Sequence, residues 1–226
     1  MTITSTTLTR AAGAAAAVAG LLFIGVQINH PHLDATSITT AEVVLRNSLK
    51  VLMAALALAG ITGLYLSQIR RNGALGLVGY VVLGIGYLLI MSTTFVAAYV
   101  LPAIAETNPN YVNDVIAVSK GDSATGDIGL LQPAAQLEGF AYLVGGLVFG
   151  IALYRARVVA RWAAALLAVG GVVSAVLAVM PDAFYRFLAF PNGIAMIGLG
   201  YSLWRTARTA ARTESSLHHA EPAQGV

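Results

Sequence analysis

The chain has no cysteine and very little charge: its 226 residues hold 13 Lys and Arg, 10 Asp and Glu, and no Cys. Without cysteine there is no disulfide framework, no thiol nucleophile and no Cys-ligated zinc or iron–sulfur centre. Charged residues make up 10% of the chain, whereas a soluble domain carries about a quarter. So few charges cannot clothe one globule in polar surface. The shortage excludes a soluble enzyme, a nucleic-acid-binding domain and a disordered protein. Also missing are HExxH, a Walker A motif and GxSxG, the signatures of zinc hydrolysis, nucleotide binding and serine nucleophiles. No histidines sit within the apolar runs to ligate haem, and nothing in the sequence calls for a cofactor.

What the chain has instead is apolar length. Hydrophobic residues make up 58% of it, and the mean hydropathy is +0.77. A bilayer core takes about 20 mostly apolar residues per helix. Six segments qualify, near 11–28, 48–67, 74–101, 134–154, 160–180 and 183–204. The expected fold is an all-α polytopic transmembrane bundle. The basic residues test that count. Arg10, Arg70, Arg71, Arg155, Arg157, Arg161, Arg205, Arg208 and Arg212 fall on one side, and Arg46, Lys50, Lys120 and Arg186 on the other. Every short basic connection lies on the first side, so the positive-inside rule places both termini in the cytoplasm. Residues 1–10 then form a short cytoplasmic N-terminus and 205–226 a disordered cytoplasmic tail. The first span reads as an uncleaved helix, because GVQINHPHL follows it where a cleavage pattern of small residues would stand.

Two long connections, 29–47 and 102–133, face the outside. In the first, Thr39-Thr40-Ala41-Glu42 matches a capping box, so the second helix begins near Thr40, and Glu42 and Arg46 read as a solvated stripe. In the second, Tyr111, Val112, Val115 and Ile116 recur at helical spacing, predicting a short interfacial helix. The GDSATGDIG segment reads as a flexible acidic turn. Pro133 and Pro181 suit first helical turns, and Pro102 marks the end of the third span. Gly13…Ala17, Ala16…Gly20, Gly146…Gly150 and Gly171…Ala175 are small-residue seams. Such seams let membrane helices approach closely, within a chain, in a homo-oligomer or against a membrane partner.

Polar groups inside a bilayer are costly, so their placement is informative. They gather in the outer half: Asn47 and Lys50 on the second helix, Thr93 on the third, Glu138 and Tyr142 on the fourth, Arg186 and Asn192 on the sixth. Glu138 stands one turn inside its helix, ahead of the apolar run GFAYLVGGLVFGIAL. A carboxyl there needs a partner, and Lys50 and Arg186 are the cations at similar depth. Such a group serves either as an acid or base in a dry cavity or as half of a structural ion pair. Phe190-Pro191-Asn192-Gly193 falls mid-span, where proline and glycine break helices that line binding sites or merely kink them. His30, His32 and Asp34 carry donors that suit a divalent metal, but their crowding at a loop start fits polar punctuation better.

Several phrases carry a family resemblance. Arg10-Ala11-Ala12-Gly13 opens the first span, Gly63-Leu64-Tyr65 ends the second, and Arg161-Trp162-Ala163 opens the fifth. Gly145-Gly146-Leu147-Val148-Phe149-Gly150 leads through to Tyr154-Arg155-Ala156. With these, the chain resembles a bacterial six-pass membrane family known as domain of unknown function 4386. The resemblance implies the bacterial cytoplasmic membrane and carries no activity with it. Three function classes then stand. The first is a protein that binds a small or lipid-like ligand in an outward-facing polar cavity at Lys50, Thr93, Glu138, Tyr142, Arg186 and Asn192, or that supports a membrane partner. The second is a membrane enzyme with Glu138 as acid or base on an isoprenoid-like substrate. The third is a transporter, for which the inner half offers few polar groups. Its constant partner is the lipid bilayer, and nucleic acid is not one.

Overall fold

The computed structural model of the protein describes residues 4–178 and 189–220. It is all-helical, with no strand among these residues. Helix α1 (Ser5–Gly25) starts on Thr4, whose hydroxyl accepts from the Thr7 N–H at 3.2 Å. A 3-10 turn (Ser37–Thr39) leads into α2 (Ala41–Leu66), which is followed by α3 (Ile69–Phe95). Next come α4 (Leu101–Ile104), α5 (Pro109–Ser119), α6 (Leu131–Ala156), α7 (Arg161–Ala178) and α8 (Ala189–Ala220). Among the described residues, four helical segments are long and apolar enough to cross a membrane: Ser5–Gly25, Ala41–Leu66, Ile69–Ile104 and Leu131–Ala156.

The long helices form a closed ring. In chain order α1, α2, α3, α6, α7 and α8 each pack on the one before, and α8 returns to pack along α1. That return depends on glycine. A Cβ on Gly13 would meet the Gly200 carbonyl oxygen at 2.7 Å, and one on Gly193 the Gly20 carbonyl oxygen at 2.9 Å. Backbones this close gain the van der Waals contact that holds membrane helices together. Elsewhere Gly60 sits on Ala16, and Gly150 on Ala164 and Ala168. Gly13, Ala16, Gly20 and Gly150 of the small-residue seams are therefore spent on contacts inside the ring. The centre is filled by apolar side chains, including Ile61, Leu64, Leu83, Phe149, Leu153, Leu167, Leu199 and Leu203.

Four boundaries differ from the sequence reading. Helix α2 is capped by Thr40, not Thr39, so Glu42 sits one position too early to close a capping box. Pro102 does not end the third span. The helix swells into a π turn (Val96–Val100) and runs on to Ile104, because a wider turn moves the chain away from the proline ring. Phe190–Gly193 is helical, so the proline and glycine do not break the helix as described from Ala189 onward. Helix α8 also continues through 205–220, where a disordered tail is expected. RTARTAARTESSLHHA has many good helix formers and no Gly or Pro before Pro222.

A second, smaller core lies at the end of the ring that carries the two long connections. Ile38, Val43, Leu101, Ala105, Val112 and Ile116 bury one another there. Helix α5 exists where the Tyr111–Ile116 periodicity places it, but Val112 and Ile116 face protein, not the outer leaflet. The two long connections thus fold into one cap over the ring.

Candidate functional site

The end of the ring that carries the long connections is built from α1. Helix α1 ends without a cation of its own, leaving carbonyls that need donors. Arg46 supplies them from α2, its Nη1 donating to the carbonyls of Val26 at 3.1 Å and Ile28 at 2.9 Å. Its Nε donates to Glu42 at 3.0 Å. Arg46 is therefore a clamp on the end of α1, while Glu42, its side chain 60% exposed, stays in the solvated stripe expected for it. A cation near a helix C-terminus also meets the negative end of the macrodipole.

One turn further on, Lys50 Nζ lies 3.2 Å from His30 Nε2, and His30 Nδ1 lies 2.9 Å from the Pro31 carbonyl. A carbonyl only accepts, so Nδ1 carries the ring proton. Nε2 is then a lone pair that accepts from the Lys50 ammonium. The expected Lys50–Glu138 ion pair does not form. Among the described residues the side-chain ion pair is Glu42–Arg46.

Glu138 instead takes a neutral donor, the Thr93 hydroxyl of α3, at 2.7 Å. This bond joins α3 to α6 at the same end of the ring. One turn deeper, Tyr142 reaches from α6 across the ring. Its ring stacks with Phe23 of α1 at 6.3 Å and meets Tyr87 of α3 edge-on at 5.6 Å. The Tyr142 hydroxyl is buried with no hydrogen-bond partner within 3.5 Å, and the Tyr87 hydroxyl is its nearest polar neighbour.

Asn47, 3% exposed, has a different task. In the π turn the Leu101 N–H donates to Val96 O. The next donor in that register is residue 102, a proline with no N–H. The Ala97 carbonyl is left over, and Asn47 Nδ2 donates to it at 3.4 Å.

The cap is held by two carboxylates, Asp34, expected to be polar punctuation, and Asp114. Asp34 accepts from the N–H groups of Ser37 at 2.7 Å and Thr36 at 2.9 Å, capping the 3-10 turn. Asp114 accepts from the Thr125 N–H at 2.9 Å, the Thr125 hydroxyl at 2.8 Å and the Gly126 N–H at 2.9 Å. The Ser37 N–H holds the Asp34 carboxyl below its usual range, and the Thr125 N–H does the same for Asp114. GDSATGDIG is therefore clamped onto α5. Lys120 and Asn113 tie α5 back to the first connection, at Leu33 O and the Ala35 N–H. His30, His32 and Asp34 do not converge on a metal. His30 and Asp34 have the partners just given, and no group of three or more His or carboxylate side chains among the described residues could hold an ion.

Of the expected site residues, Thr93, Glu138 and Tyr142 come together on α3 and α6. Lys50 pairs with His30. Asn192, 2% exposed, packs on Gly170 of α7, where a Cβ would overlap its amide. Arg186 lies outside the described residues. Sequence reasoning missed the Arg46 clamp and the Asp114 clamp. The signal for the first is an arginine one turn above Lys50 with no cation at the end of α1. Compared with known proteins, the chain matches no family model, no curated protein and no solved structure.

Proposed function

We propose that this chain is a six-span protein of the bacterial cytoplasmic membrane, both termini inside, that binds a small or lipid-like ligand at its outer end. Closure of the ring supports six spans, because α7 and α8 fill the gap between α6 and α1. The distribution of arginine supports the orientation. The observation that carries the ligand reading is the carboxyl of Glu138, held by Thr93 one turn above the buried Tyr142 and Tyr87 hydroxyls. Phe23 and Tyr87 wall Tyr142 with aromatic rings. An apolar, aromatic-lined place with a few polar groups suits an amphiphile with one hydroxyl or carbonyl at its head.

The test uses a diazirine-tagged isoprenoid alcohol on the full chain in micelles. Crosslinks concentrated on α3 and α6 near Thr93 and Tyr142 are expected. Tyr142→Phe and Glu138→Gln should each cut them several-fold with little change in thermal stability. Labelling spread evenly over lipid-facing side chains, and indifferent to both substitutions, refutes the ligand reading. Because the chain has no cysteine, orientation is read with single substitutions. A membrane-impermeant maleimide should label Ser123→Cys in intact cells, and Arg71→Cys only after permeabilisation. The reverse pattern refutes the orientation.

A further inference from the structure

At the opposite end of the ring, the α2–α3 and α6–α7 turns flank an open groove of about 560 Å³. Arg70, Arg71 and Arg157 line it together with Gln68, and Leu66 and Ile69 stand at its edge. No carboxylate is among its lining residues. The positive-inside rule explains basic residues on this side, but not two further features. Gln68 is 4% exposed, its Nε2 donates to Leu64 O at 3.1 Å, and its Oε1 is buried without a partner. Arg157 follows α6 in the left-handed region, at φ 57° and ψ 29°. Glycine is the ordinary residue there, because any side chain is strained. The chain therefore keeps a guanidinium where the backbone favours its absence, beside a buried acceptor that wants a donor.

We propose that this groove is a headgroup site for an anionic phospholipid bearing a free hydroxyl, of the phosphatidylglycerol type. The guanidinium groups take the phosphate oxygens, which planar, forked donors match well. A glycerol hydroxyl donates to Gln68 Oε1. Leu66 and Ile69, 59% and 47% exposed, lie where the acyl chains leave the headgroup, which favours a lipid over a soluble phosphate ester. Basic pockets between membrane helices are known to take anionic headgroups. The inference rests on the membrane-spanning helices alone and is independent of the outer ligand.

The experiment is native mass spectrometry of the full chain after reconstitution with equal amounts of phosphatidylglycerol, phosphatidic acid and phosphatidylcholine. Phosphatidylglycerol should be retained at least tenfold over phosphatidylcholine and about threefold over phosphatidic acid. Arg157→Gly relieves the backbone, so the protein should be no less stable while its tenfold preference falls at least fivefold. Gln68→Leu should bring phosphatidylglycerol down to the level of phosphatidic acid and leave both above phosphatidylcholine. A double Arg205→Gln, Arg208→Gln variant removes charge elsewhere on the same side and should leave all ratios in place. Equal retention of the three lipids, or an equal loss in that control, overturns the site. Displacement by glycerol 1-phosphate at millimolar concentration overturns the lipid assignment and gives the groove to a soluble phosphate ester.

Discussion

If Asn47 stands in for the N–H that Pro102 lacks, the two residues are energetically coupled although 55 positions separate them. Removing the amide by Asn47→Ala leaves the Ala97 carbonyl buried and unpaired, which costs about 1–3 kcal/mol when no water can reach it. The 3.4 Å length of the bond and the modest average of about 0.6 kcal/mol for side-chain hydrogen bonds between membrane helices argue for the lower end. We therefore expect about 1 kcal/mol. Pro102→Ala restores a donor that reaches Ala97 in the π register or lets the turn relax to α, and either way that carbonyl no longer depends on Asn47. In the Pro102→Ala background, Asn47→Ala should cost about 0.5–1 kcal/mol less than in the parent, a coupling well above the scatter of roughly 0.3–0.5 kcal/mol for independent sites. The assay is reversible unfolding in mixed micelles on the four members of the cycle. Strictly additive costs would refute the reasoning, because they would mean the amide serves packing and not the orphaned carbonyl.

Ring closure predicts a contrast between glycines. Gly13→Ala drives a Cβ against the Gly200 carbonyl and should lower stability by about 1–3 kcal/mol. Gly84→Ala, with open space around it, should raise stability by about 0.5–1 kcal/mol. Thermal melts in one detergent decide both, and equal effects would show that α1 and α8 have room to spare. The Asp114 clamp predicts acid sensitivity of the cap. Its carboxyl is held low in the folded chain, so its contribution is complete above the ordinary carboxylate range and is lost as pH falls through the lowered value. The protection of the Thr125 and Gly126 amides, taken relative to their intrinsic exchange rates, should fall on acidification below about pH 4, and in Asp114→Asn it should be low at every pH. An unchanged acid profile in Asp114→Asn would refute the clamp. Finally, nitrogen NMR of His30 should show the Nδ1–H tautomer at neutral pH, reverting to a mixture in Lys50→Met. An Nε2–H ring would rule out donation from Lys50.

Apolar length, the start of α2 to within one residue and the helix at 109–119 were legible in the sequence because each is a local pattern. Partner choice was not. Charge and depth pointed Glu138 toward Lys50, but each met a neutral group close by, Thr93 and His30, and neither neighbour shows in periodicity. The π turn was equally hidden. Proline marks where a helix loses a donor, yet whether it stops or swells depends on a substitute from another helix, here Asn47. Arg46 and Asp34 read as surface polarity, and Asp114 drew no notice, because exposed and clamping charges look alike until the loops are folded over them. The groove at the α2–α3 and α6–α7 turns escaped because its arginines already had an explanation in topology.

Closing the ring between the first helix and the last also has a consequence in time. Gly13 and Gly200 are 187 positions apart, so at about 5–20 residues per second α1 waits roughly 10–40 s in the membrane before its partner is made. Through that interval its glycine face is covered by α2 on one side and by lipid on the other. Any α8 that arrives first can claim it, including one from a neighbouring nascent chain. Crowded synthesis should therefore yield exchanged pairs, each ring closed by the other copy's last helix.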